Sequence, residues 1–277
     1  MMLRGISFAR IAKTTVVLAI AFYGILAATL YLLQDRILFY PDPAPLASCS
    51  ALSGVEAIEA GDLRGYFHPS GSSTRIVVFY HGNAGRACES AAHFRSSMEI
   101  GDAAWLAVEY PGYAGDLATP TVAGLERAGT AAARWIAERG YEEVDILAMS
   151  IGGCAAAAHA RTTLPDRAFL AATFDSLSAT AGMHYPMFPA RLLLKRDCDV
   201  AGAFAPVPQV VVAHGTADAT VPFVRGVMLA EKIGPTSRLI PIEGAGHESI
   251  WNDSALFSAM NEFFTFSAAD GQNARSE

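Results

Sequence analysis

The sequence predicts an α/β protein. It is read as a doubly wound, mostly parallel sheet with a short helical cap, preceded by one transmembrane helix. Three observations predict it. Short apolar runs rich in β-branched residues alternate with helical patterns, and that alternation implies βαβ crossovers. Several runs are apolar at every position, as in IVVFY at 76–80, which suits strands covered on both faces. Ahead of them lies TTVVLAIAFYGILAATLYLL, residues 14–33, an uncharged stretch that as a helix spans about 30 Å, one bilayer core.

Taken in order, Arg4, Arg10 and Lys13 precede that stretch, while Asp35 and Arg36 follow it. The asymmetry favours an N-terminus (1–13) in the cytoplasm, a signal-anchor at 14–33 in the plasma membrane, and a body outside the cytoplasm. A cleaved signal peptide is the competing reading, but Leu26 and Ile25 occupy its candidate −3 positions, where a small residue is wanted. The stretch has no polar face, which argues against a core helix. Early strands are expected at 55–59 and 63–67, then a buried strand at 76–80, a helix at 86–100 and a strand at 104–109. A long alanine-rich helix at 121–139 stops at Gly140. A strand at 144–149 leads into a helix at 151–163, which ends before Pro165. Strands at 168–174, 210–213 and 238–242 and helices at 221–233 and 253–266 complete the body, placed at 34–266. The tail 267–277 is small and polar and is expected to be disordered. Residues 176–206 are a cap or a crossover. Met183, Tyr185, Met187 and Phe188 there read either as an acyl-binding cover or as the inner face of a crossover helix.

Composition excludes several classes. With 277 residues, 52% of them hydrophobic, the chain can bury one large core. A net charge of −7 leaves no basic footprint for nucleic acid. The seven histidines are scattered without H-E-x-x-H spacing, so no metal and no cofactor is expected. The four cysteines form no C-x-x-C. An exported domain could oxidise one pair, and Cys154 reads most simply as a packed core thiol.

Chemistry-bearing residues fall just after strand runs, where ligands gather in such sheets. Ser150 sits between strand 144–149 and Ile151-Gly152-Gly153, a strand–turn–helix context that suits an exposed nucleophile. A helix N-cap serine would explain Ser150 alone equally well. His81-Gly82-Asn83-Ala84-Gly85 follows strand 76–80, and His214-Gly215-Thr216-Ala217-Asp218 follows strand 210–213. Gly244-Ala245-Gly246-His247 follows strand 238–242, with glycines that let a loop carry an imidazole over the sheet edge. Asp175, ending strand 168–174, rivals Asp218 as the acid; Asp218 is preferred. The order Ser…Asp…His makes coincidence a poor explanation.

FYHGNAG, VEYPGYAG, AMSIGG, AHGTADATVP and GAGHESIW together resemble the α/β-hydrolase superfamily. With LLQDRILFYPDP after an anchor and HYPMFPARLLLKRDCD before the seventh strand, the chain is similar to the single-pass, bud-emergence-like branch of serine hydrolases. The resemblance covers residues 34–266. It implies Ser150 as nucleophile, His247 as base and Asp218 as orienting acid, with oxyanion N–H groups from Asn83 and Ile151. A serine nucleophile suits ester and thioester substrates, and the anchor tilts the expectation toward a small-molecule acyl ester or lipid. Ala148 and Ala114 stand where glycine is more usual, which questions how tight those turns can be. A non-catalytic binding module and a cofactor-free perhydrolase or haloperoxidase-like enzyme are the other readings.

Overall fold

The apolar runs become the strands of one eight-stranded sheet in a computed structural model that describes residues 8–49 and 54–265. In chain order these are β1 (Glu56–Ala60), β2 (Leu63–His68), β3 (Arg75–Tyr80), β4 (Ala104–Glu109), β5 (Glu143–Met149), β6 (Arg167–Ala171), β7 (Gln209–Gly215) and β8 (Ser237–Ile242). Their spatial order is β1-β2-β4-β3-β5-β6-β7-β8, with β2 antiparallel to both neighbours and every other pairing parallel.

Both faces are covered, which explains why β3 is apolar throughout. Successive side chains alternate faces. Ile76, Val78 and Tyr80 therefore enter a cluster with α3 (Val122–Ala137), α4 (Gly152–Thr162) and α8 (Phe223–Ile233). Val77 and Phe79 enter the opposite cluster with α2 (Ala87–Arg95) and α9 (Ser254–Thr265). At about 1.5–3 kcal/mol for each large apolar side chain buried, two-sided burial makes the central strands the main source of stability. At the amino edge of the sheet, buried Asp145 accepts from Arg75 and Arg167, both at 2.6 Å. Those arginines also donate to Phe264 O and Phe263 O, which fastens the end of α9 there.

Some boundaries differ from expectation. The helix expected at 86–100 stops at Arg95, and the strand expected at 168–174 stops at Ala171 because Ala172 takes φ 47°. The 176–206 segment is three short helices, α5 (Leu177–His184), α6 (Ala190–Leu193) and α7 (Val200–Phe204). It is closed at its base by a Ser176–Asp199 bridge. Cys154 is not a free core thiol: it is joined to Cys198, and Cys49 is joined to Cys88, with Cα–Cα distances of 5.6 and 5.7 Å. The first helix, α1 (Phe8–Leu38), extends the 14–33 run at both ends. It is long and apolar enough to cross a membrane, and its most apolar stretch is not buried against the body. Residues 1–7 and the tail 267–277 lie outside the described residues.

Candidate active site

β5 delivers Ser150 into a turn with φ 49°, a left-handed conformation that costs on the order of 1–3 kcal/mol in a non-glycine residue. Neighbours hold it there. Ser150 N donates to Ala171 O at 2.9 Å, and Thr173 Oγ1 donates to Ser150 O at 2.7 Å. Position 152 must be glycine, since a Cβ there would lie 2.4 Å from His81 O and 2.5 Å from Tyr80 O. Ala148 raises no such conflict: it lies within β5, paired with Tyr80 and Leu170, and its methyl is buried in the core. The alanine therefore leaves the turn as tight as glycine would. α4 then starts at Gly152 without a side-chain cap, so its partial positive end faces the serine.

The structure brings Ser150, His247 and Asp218 together. Ser150 Oγ is 3.0 Å from His247 Nε2, and His247 Nδ1 is 2.7 Å from Asp218 Oδ2. The loops carrying the last two are laced to each other by Gly244 N to Thr216 Oγ1 (2.8 Å) and Ala217 N to Ala245 O (3.0 Å). Asp218 Oδ1 accepts the N–H groups of Thr220 and Val221 at 2.9 and 2.8 Å. Burial alone would raise the Asp218 carboxyl. The neighbouring His214, the bond from His247 and the Val221 N–H outweigh it and hold the group well below the usual carboxylate range. His214 Nε2 lies 3.5 Å from Asp218 Oδ2 and gives its closest contact, 2.7 Å, to Val221 O. Gly226 of α8 makes room for it, since a Cβ there would lie 2.5 Å from His214 Nδ1.

Asp175 is elsewhere. Its buried carboxylate meets Arg225 Nη1 at 3.3 Å and Lys232 Nζ at 2.5 Å, and so pins α8 to the end of β6.

Asn83 and Ile151 line the same cavity as Ser150 and His247, a space of about 1010 Å³. Among the described residues, no backbone acceptor takes the N–H of either. The Asn83 side chain is tied to the end of α1. Its amide donates to Leu38 O, and its oxygen accepts from Tyr40 N at 3.1 Å and Tyr113 Oη at 3.0 Å. Tyr113 also donates to Asn83 O at 2.8 Å. Ala114 takes φ 48°, and Arg64 grips that turn through Tyr113 O and Ala114 O at 2.9 and 3.1 Å. Behind the elbow, fully buried His159 of α4 has Nδ1 2.6 Å from Tyr80 Oη, and burial pushes its pKa down to about 3.

The supporting residues Thr173, His214, Tyr113 and Arg64 were not singled out from sequence. A repeated His-Gly pair, just after β3 and at the end of β7, was the available signal for His214.

No protein-family model matches the chain. Uncharacterized proteins from two strains of Mycobacterium tuberculosis are 28% identical to it over 258 residues, covering 86% of this chain and 90% of theirs. Solved structures of low identity superpose over most of the body. Est1E of Butyrivibrio proteoclasticus, solved with ferulic acid bound, is 14% identical with TM-score 0.61, covering 77% of this chain and 99% of that one. Esterase RhEst1 of Rhodococcus sp. ECU1013 is 16% identical with TM-score 0.55, covering 78% and 100%. Acyl-protein thioesterase 2 of Zea mays is 12% identical with TM-score 0.52, covering 73% and 97%. The sheet order and these superpositions give the chain the α/β-hydrolase fold.

Proposed function

We propose that this chain is a membrane-anchored serine hydrolase that cleaves carboxylic ester or thioester bonds of acyl or lipid-like substrates. The observation that carries the reading is the hydrogen-bonded order Ser150–His247–Asp218 opening into one cavity. Ser150 Oγ attacks the carbonyl carbon while His247 Nε2 takes its proton, because a serine hydroxyl is a weak nucleophile unaided. Ionised Asp218 holds the imidazole by Nδ1 and stabilises the imidazolium that forms. The N–H groups of Asn83 and Ile151 meet the developing oxyanion, where one donor is worth about 2.7–4 kcal/mol. His247 returns the proton to the departing alcohol or thiol, and water then releases the acid from Ser150.

The fold neighbours support this chemistry: an esterase, Est1E with ferulic acid bound, and an acyl-protein thioesterase. The resemblance to the bud-emergence-like branch rests on the sequence motifs. α1 serves as the anchor, with the basic N-terminus inside and the body outside. Two disulfides suit that placement, since such bonds persist mainly in oxidising compartments. A second reading keeps an observation of its own. A putative non-heme bromoperoxidase of Mycobacterium tuberculosis shares the fold at TM-score 0.54 and 18% identity, and a perhydrolase would use the same serine.

Fluorophosphonate labelling tests the proposal. Wild-type protein should be labelled on Ser150 and Ser150→Ala should not. Labelling that survives Ser150→Ala rejects the assignment. Peracid formed from peroxide and a short acid, without ester turnover, would favour the second reading. The protein should also stay with membranes through a carbonate wash.

A further inference from the structure

The cavity that holds Ser150 does not end beneath the cap. Ile37, Leu38, Ala181 and Tyr185 line both that cavity and an apolar groove that continues between α1 and the cap. Leu30 of α1 forms one wall further along, and Phe188, Leu193 and Leu194 of the cap form the other. Gln34 also lies on this route, but both ends of its amide are turned into the protein. Nε2 donates to Tyr31 O and Leu193 O at 2.8 and 3.1 Å, and Oε1 accepts Lys195 N at 2.8 Å.

The cap runs along α1 from Asp35 down to Tyr23. At the upper end Lys195 Nζ meets Asp35 at 2.6 Å. At the lower end Tyr23 Oη donates to Met187 O at 2.8 Å, and the Tyr23 ring stacks on Phe188 at 5.0 Å. From Gln34 to Tyr23 is about 16 Å along a helix rising ~1.5 Å per residue, roughly half of a 30 Å hydrocarbon core. Met187 and Leu192 project from this part of the cap, 78% and 79% exposed. Large apolar side chains bared beside a helix fit to cross a membrane match a lipid surrounding rather than water.

We propose that the substrate is an ester-linked acyl lipid resident in the bilayer, and that its acyl chain reaches Ser150 sideways, from the hydrocarbon along the α1–cap groove. This inference rests on the serine-hydrolase reading above. A chain moving along that path stays in apolar surroundings until its ester meets the cavity, so no methylene has to cross water.

The test uses full-length protein in phosphatidylcholine vesicles. Turnover of a fluorogenic long-chain ester lipid in the bilayer is divided by turnover of soluble p-nitrophenyl acetate. Ala190→Trp and Leu194→Trp, which fill the groove, should each lower this ratio at least ten-fold. A second measurement needs no turnover. With the native cysteines paired, a bimane on Met187→Cys should be quenched by lipids brominated in mid-chain. A bimane on Glu262→Cys, on α9 at the amino edge of the sheet, should not. An unchanged ratio in both tryptophan variants overturns the groove route, while acetate turnover and fluorophosphonate labelling leave the hydrolase reading standing. An unquenched Met187 probe overturns immersion of the cap, and the route with it. Wild-type protein that neither turns over acetate nor takes the label overturns the hydrolase reading, and the lipid substrate falls too.

Discussion

At the ends of the adjacent strands β6 and β7 the chain places two buried aspartates in different company. Asp175 is met by two permanent cations from α8, Arg225 and Lys232. Asp218 is met by peptide N–H groups on one oxygen and by imidazole on the other. Burial and position at a strand end are common to both. The partner differs, and it decides what each carboxylate can do. The negative charge of Asp175 is already neutralised, and it serves to hold a helix. In the proposed mechanism the charge of Asp218 faces a ring that takes the proton of Ser150, so its field strengthens an interaction that exists only during reaction. A buried acid becomes a candidate for chemistry when its counter-charge is transient.

The largest expected effect tests whether the β7 side is a single working unit. Ser150→Ala and His247→Ala should each lower kcat by about 10⁵–10⁶, with unchanged circular dichroism, because such groups fail together. Next comes the exchange at the heart of the comparison. Asp218→Asn should cost about 10³–10⁴ in kcat with little change in Tm. Asp175→Asn should keep kcat within a few-fold but destabilise by about 1–3 kcal/mol, toward the lower end because Lys232 keeps half of its side chain in water. The reverse pattern would reassign the acid to β6.

The Cys154–Cys198 bond lies on the Asp175 side, at the base of the cap. Replacing both residues by Ala should lower unfolding free energy by about 2–4 kcal/mol and leave turnover per folded molecule near wild type. The last effect is read only in the pH dependence of stability. His159 is pushed down to about 3 when folded, whereas the unfolded chain takes up that proton near 6.5. Stability is therefore complete above pH 6.5 and is lost as pH falls toward 3. His159→Gln should flatten that decline, by about 3 kcal/mol at pH 4.

The strands and the residues that follow them were legible because two-sided burial writes an unbroken apolar run, and because Ser150, Asp218 and His247 each stand just past one. The strand expected at 168–174 overran because nothing in an alanine announces the left-handed backbone at Ala172. The pairing of Cys154 with Cys198 was not legible either: it depends on how the cap folds back on α4, a contact between residues 44 positions apart. Asp218 is preferred to Asp175 on chain order alone; the contact that separates them is again tertiary, although Arg225 and Lys232 lie seven residues apart on one helical face. Two cations there, on a helix that packs against the sheet, mark a buried carboxylate waiting beneath.

The end of α1 has a consequence for anyone preparing this protein without that helix. Leu38 O and Tyr40 N both hold the side chain of Asn83, whose backbone is the proposed oxyanion donor. A soluble fragment starting beyond residue 40 would lose those two tethers while keeping Ser150, Asp218 and His247. It should stay folded and take a fluorophosphonate more slowly than the full chain. A low rate measured on such a fragment would describe the trimming rather than the full chain, and any helix put in place of α1 would have to keep its last turn in register with the body.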